Sequence, residues 1–193
     1  MTTTPGFTGL RAVILHRAND DVQRLTRQLG VLGLETHVQW QPLKTIATAD
    51  LVLVDADAGW AGILPWERDK NPVPLIALLS SEAPGRVAWA LDHGANALIS
   101  KPVAASAVYP ALVMAFRFHA QSLQVARELD DMRERLRLRP LVLAAVQALM
   151  QRFDLDEAAA YRQLRQQAMQ SQLALEHVAA DVLSLSASAR AAK

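Results

Sequence analysis

Four short apolar runs punctuate the first hundred residues: Ala12 to Leu15, Leu51 to Val54, Pro74 to Leu79 and Ala95 to Ile99. Each has the length and unbroken hydrophobicity of a strand buried on both faces of a parallel sheet. Asp20 to Leu29 and Arg86 to His93 lie between them with helical spacing, and Glu35 to Trp40 reads as a fifth strand. Strands and helices in alternation predict an α/β fold with a doubly wound, flavodoxin-like, five-stranded parallel sheet and helices on both faces. From Gly59 to Val73 the prolines at 65 and 72, with Pro74 next, leave room for only a short helix.

Helical sequence without glycine then runs from near Ala104 to Arg139, with Pro110 close enough to its start to be tolerated. Phe118, Val125, Leu129, Met132 and Leu136 recur at three-and-four spacing, Ser122 being a weak member, over about three heptads. Such a helix either packs on its own chain or forms the stalk of a homodimer. The polar residues Arg127, Glu128, Asp130, Asp131, Arg133 and Glu134 on its outer positions favour the stalk. Pro140 is expected to break or restart the helix. Beyond it, residues 148 to 169 read ALMQRFDLDEAAAYRQLRQQAM, two short helices separated at Phe153-Asp154-Leu155, with Asp156 placed to cap the second. Leu149, Ala160, Tyr161, Leu164 and Ala168 give these helices one apolar face, and a third helix follows around Leu175, Val178 and Ala179. The predicted parts are residues 1–103 for the α/β domain, whose last helix begins near 104, 104–138 for the stalk, 139–185 for the small three-helix domain and 186–193 for a flexible tail.

Composition narrows the chemistry. The chain has 193 residues, a formal net charge of +1 and no cysteine, which removes disulfides, thiolate metal sites and cysteine nucleophiles. The five histidines lack ligand spacing. No nucleophile-base pair or glycine-rich phosphate loop stands out, so neither enzyme, cofactor nor metal is expected. The N-terminus lacks the apolar core of a signal peptide, and no uncharged run approaches the roughly 20 residues that span a bilayer. A cytoplasmic protein without a membrane partner is the expectation.

Asp50-Leu-Val-Leu-Val-Asp55 and Gly94-Ala-Asn-Ala-Leu-Ile-Ser-Lys101-Pro102 resemble the response-regulator receiver domain over residues 9 to about 118. The resemblance places Asp55 at the phospho-acceptor position and Lys101 at the phosphate-pairing position, with a cis Lys101-Pro102 bond turning Lys101 inward. A receiver also carries an acidic pair after its first strand to bind Mg²⁺. Here that place reads His16-Arg17-Ala18-Asn19, while Asp20 and Asp21 fall in the first helix. The hydroxyl expected at the end of the fourth strand falls on or beside Leu79, ahead of Ser80 and Ser81. The pocket of Asp55, Lys101, Pro102 and Arg17 is therefore degenerate, with Asp55 a relic or an ion-pair partner of Lys101 or Arg17.

The Leu-Met pair, acidic helix start, Ala-Tyr, Leu-Arg and Ala-Met between residues 139 and 183 resemble the ANTAR domain of bacterial antiterminators. A degenerate receiver, a coiled coil and ANTAR, in that order, are similar to antitermination regulators of the AmiR and NasT type. The resemblance implies a dimer that binds paired hairpins in a leader mRNA and is held silent by a ligand-sensing negative regulator protein. It nominates Arg165, Tyr161, Arg152, Gln166, Gln167 and Gln170 for RNA contacts. The preceding Arg133, Arg135, Arg137 and Arg139 are either phosphate contacts or an ordinary charged helix surface. Two features depart from the family: Ala145-Val146 replaces its Ala-Lys pair, and Gln170-Ser171-Gln172 replaces basic residues. Residues 140 to 193 hold five basic and five acidic residues, so any RNA attraction is local. Two other readings are a protein-interaction regulator whose ANTAR domain does not bind RNA, and a phosphorylated response regulator that binds DNA.

Overall fold

The computed structural model describes the backbone of residues 6–47, 49–66, 70–80 and 83–191, with side chains as far as residue 185. It divides into two compact units, Met1–Leu123 and Gln124–Lys193. In the first, β1 (Arg11–Leu15), β2 (Glu35–Gln39), β3 (Leu51–Asp55), β4 (Leu75–Leu79) and β5 (Ala97–Ser100) form one parallel sheet in the order β2-β1-β3-β4-β5. This is the doubly wound order whose chain direction switches between β1 and β3. Register follows the apolar pattern, with Ile14 opposite Leu53 and Leu53 opposite Ile76. All five residues of β3 and of β4 are buried, as strands covered on both faces must be.

One face of the sheet is covered by α1 (Asp20–Val31), through Leu25 and Leu29, and by the start of α3 (Ala105–Phe153), through Val108, Leu112 and Ala115. The other carries α2 (Pro84–Asp92), through Ala90, together with loop residues. No helix occurs among the described residues between β2 and β3 or between β3 and β4, which corrects the expectation of a short helix near 59–73. Pro42, Pro65 and Pro72 deny these loops helical N–H donors, and Trp40, Leu43, Ile63, Leu64 and Trp66 fill the space a helix would occupy. Indole rings bury enough area each to make that exchange workable. Trp89 packs so closely on the same face that a Cβ on Gly59 would lie 2.4 Å from its ring. Asn71 ties the loop down by donating to the carbonyls of Val73 and Gly94 and to Asn96 Oδ1, which also accepts from Leu75 N.

α3 runs without interruption through Pro140, contrary to the break expected there. A proline removes only its own donor and crowds the preceding turn, and the carbonyl it leaves without that donor belongs to Leu136, which is exposed as Pro140 is. The helix stops at Phe153, where Asp154 turns left-handed (φ 51°). α4 (Glu157–Ser171) starts at the expected cap, with Asp156 Oδ1 accepting from Ala159 N at 2.6 Å. It ends at Gln172, also left-handed (φ 56°), before α5 (Leu175–Ala191). Ala145, Val146 and Leu149 of α3 pack with Ala160, Leu164 and Ala168 of α4 and with Val178 and Ala179 of α5 in a separate core. The helix α5 extends into the segment read as a tail, whose side chains and last two residues lie outside the described set.

Candidate functional site

In a parallel sheet the carboxyl ends of the strands converge at one edge, and residues immediately after them face a common crevice. His16 follows β1, Asp55 ends β3 and Lys101 follows β5. Lys101 Nζ donates to Asp55 Oδ1 and to Asp57 Oδ2, each at 2.8 Å. His16 Nε2 lies 3.2 Å from Asp55 Oδ2 and 3.2 Å from Lys101 Nζ. Its Nδ1 is 2.6 Å from the carbonyl oxygen of Arg17, so Nδ1 carries a proton and donates there. The Lys101-Pro102 bond is cis, and Lys101 points into the pocket.

The electrostatics follow from this packing. Burial pushes Lys101 down, but hydrogen bonds to Asp55 and Asp57 outweigh it and hold the ammonium above its ordinary range. Burial likewise pushes Asp57 up, and the hydrogen bonds from Lys101 and Ser80 outweigh that, so its carboxyl sits below the usual carboxylate range. Ser80 contributes through its side chain and through its backbone N–H, the latter 2.7 Å from Asp57 Oδ2.

Receivers imply a bound Mg²⁺, and the residues present do not fit one. An ion that demands about six oxygen ligands meets an imidazole and an ammonium. Asp55 Oδ1 already accepts from Lys101 Nζ and from the Asp57 N–H. Asp57 Oδ1 is the one pocket oxygen that is buried without a hydrogen bond among the described residues. Asn19 caps α1 by accepting from Val22 N, and Asp21 accepts from Val103 N at 2.7 Å, so neither reaches the pocket as a ligand. Arg17 is not in the pocket either, correcting one expected partner of Asp55: its guanidinium lies 5.5 Å from the centre of the Trp40 ring, a cation–π contact that leaves it partly solvated. His16 and Asp57 were missed because a lone histidine and a second aspartate gain meaning only once the strands bring them together.

The second set of candidates lies on the C-terminal helices. Arg165, Arg152, Gln166 and Gln170 are exposed, and the Arg152 guanidinium stands 5.2 Å from the Phe153 ring centre. Tyr161, expected on the apolar face, is 43% exposed and lines a groove between α3, α4 and α5 instead of joining the core. Arg139 lines the same groove and Arg137 is exposed. Arg133 and Arg135 are paired with Asp130 and Asp131 on the exposed surface of the helix. Phe118, Val125, Leu129, Met132 and Leu136 are each between 46% and 58% exposed on α3, an apolar stripe left without cover.

Comparison with known proteins matches the two units separately. The family described as AmiR, N-terminal, matches residues 10–116, more than half of the chain. The chain belongs to the AmiR family. The ANTAR domain matches residues 130–183, so this AmiR-family chain joins a receiver-like domain to an ANTAR domain in one polypeptide. An aliphatic amidase regulator of Pseudomonas aeruginosa is 27% identical over 109 residues, 56% of this chain and 56% of the relative. The match thus spans about half the length of that curated relative. Among solved structures, the signal receiver domain of an HD domain-containing protein from Pseudomonas fluorescens Pf-5 is similar at 18% identity and a TM-score of 0.46, covering 58% of this chain and 98% of that one. A chemotaxis protein of Vibrio cholerae is similar at 13% identity and a TM-score of 0.47, covering 56% and 99%. Among the described residues, no helix is long and apolar enough to cross a membrane.

Proposed function

We propose that this AmiR-family protein is an RNA-binding transcription antiterminator, acting as a dimer on leader-transcript hairpins and controlled by a ligand-sensing protein instead of by phosphorylation. The observation that carries the reading is the pairing of an ANTAR match with a receiver pocket closed on itself. Lys101, the group that would greet a phosphoryl oxygen, is already neutralised by two carboxylates, and His16 stands where an acidic metal ligand would be needed. A domain that keeps its fold while its chemistry is blocked serves best as a docking surface for another protein. RNA contacts fall to Arg165, flanked by Gln166 and Gln170 on the exposed side of α4, because guanidinium pairs with phosphate and stacks on unpaired bases. The exposed stripe from Phe118 to Leu136 supplies the dimer seam.

Transcription in vitro through the chain's own operon leader tests the reading. Added protein is expected to raise read-through of the terminator, and acetyl phosphate to change nothing. Read-through unaffected by the protein would favour a regulator that acts through protein contacts alone.

A further inference from the structure

Past residue 118 the chain has no tryptophan and a single phenylalanine and tyrosine, Phe153 and Tyr161. Both rings lie at the surface of the unit Gln124–Lys193, 48% and 43% exposed. The core of that unit is built of smaller side chains, among them Ala145, Ala160, Ala168 and Ala179. Aromatic rings bury more apolar area than any of these. A unit that fills its interior with alanine and keeps Phe153 outside forgoes the stabilisation that ring would bring.

Local structure holds the ring in that position. Phe153 is the last residue of α3, Asp154 is left-handed (φ 51°), and Leu155 N donates to the carbonyl of Met150 at 3.3 Å. A bond from the second residue past the end back to the last turn is the Schellman closure of a helix. Met150 and Leu155, at its two ends, both pack against the core. The backbone beneath Phe153 is thus pinned, and the ring stands on a fixed platform. The Arg152 guanidinium lies 5.2 Å from the ring centre, a cation–π contact that orders a long side chain at the surface.

The surroundings decide what the ring can meet. Gln151, Arg152, Asp154 and Asp156 are all polar and exposed, whereas the centre of a protein–protein contact is apolar and depleted in charge. A splayed RNA base needs one flat face to lie on, polar groups around its edge and a cation for the adjoining phosphate. Asp156 is engaged in capping α4, and the Asp154 carboxylate is free to accept only from donors, which base edges carry. Tyr161 is placed differently, lining a groove with Val142, Leu143 and Leu175.

We infer that Phe153 is the stacking platform for one unpaired base of the RNA, with Arg152, held at the ring, pairing the phosphate beside that base. The inference rests on the RNA reading above and deepens it: Arg165 supplies charge, and the end of α3 supplies recognition of a looped-out base. It also accounts for binding by a segment whose five basic residues are matched by five acidic ones, because stacking needs no excess of positive charge.

Binding of the leader hairpin is measured for full-length wild type, Phe153→Ala, Phe153→Leu, Phe153→Trp and Arg152→Ala, each checked for folding by circular dichroism. Phe153→Ala and Phe153→Leu are expected to bind about five- to a hundredfold more weakly, the equivalent of one base–aromatic stack, with the salt slope unchanged. Phe153→Trp should bind at least as tightly as wild type, and Arg152→Ala should lower the salt slope by about one unit. An abasic site is then placed at each loop position of the hairpin in turn. One position should weaken wild type by a similar factor and cost Phe153→Ala nothing further, since both changes remove the same contact. Should Phe153→Ala unfold, Phe153→Leu takes its place in that comparison. If folded Phe153→Leu binds as wild type does, or every abasic position costs both proteins equally, the platform does not exist, and hairpin binding that still weakens in Arg165→Ala leaves the RNA reading standing. If wild type does not prefer the hairpin to unstructured RNA, the RNA reading itself fails.

Discussion

Oδ1 of Asp55 accepts a 2.8 Å bond from Nζ of Lys101, and each side chain is less than a tenth exposed. They meet directly, with Asp57 completing the clamp and His16 closing the other side. The arrangement is that of an internal structural ion cluster at the end of the sheet that normally does chemistry.

Asp55 should accordingly not become phosphorylated. Incubation with acetyl phosphate and Mg²⁺ is expected to leave the mass of the intact protein unchanged, and folded Asp55→Asn to bind hairpin RNA as the wild type does. Mg²⁺-dependent labelling lost in Asp55→Asn, together with lost RNA binding, would contradict the closed-pocket account.

Removing Lys101 leaves a buried carboxylate, Asp55, and a partly exposed one, Asp57, without their shared cation. Lys101→Met is expected to lose about 3–5 kcal/mol of stability in denaturant titration, the range typical of a broken buried pair. The pH dependence has a definite sign. Asp57 is held below its ordinary 3.8, so its contribution is complete above that value and lost as pH falls through the lower folded value. Lys101 is held above its ordinary 10.5, so its contribution is complete below that value and lost as pH rises through the higher folded value. Wild type should therefore lose stability more steeply than Asp57→Asn below pH 3.8. Parallel acid limbs would show that the Asp57 contact contributes nothing.

Charge placed on the seam should separate the chains. Leu129→Glu combined with Met132→Glu is expected to sediment as a folded monomer where the wild type sediments as a dimer. A wild type already monomeric at micromolar concentration would remove the stalk.

Much of this was legible in the sequence because local physics fixed it. The unbroken apolar runs of β1, β3 and β4 admit little besides buried parallel strands, and Asp156 announces a helix start through its own side chain. What was not legible depends on partners distant in the chain. His16 meets Lys101 across 85 positions, and nothing near either residue signals it. Arg17 looked like a pocket cation because of its position after β1, yet the Trp40 ring offers it a face without desolvating it fully. Pro140 reads as a break by propensity, but an exposed proline within a long helix leaves the surrounding hydrogen-bond ladder in place. Tyr161 fits the apolar spacing of α4 and still stays at the surface, because the core there is already filled by Ala160 and Leu164.

The central claim is tested most directly by titrating full-length protein with its own operon's leader hairpin at two salt concentrations, beside duplex DNA and unstructured RNA. The account predicts that wild type prefers the hairpin. Arg165→Ala, still folded, should bind it more weakly with a salt slope lower by about one unit, as loss of one phosphate contact requires. A wild type that is dimeric and free of any sensor protein, yet binds hairpin no better than the other two nucleic acids, would contradict it.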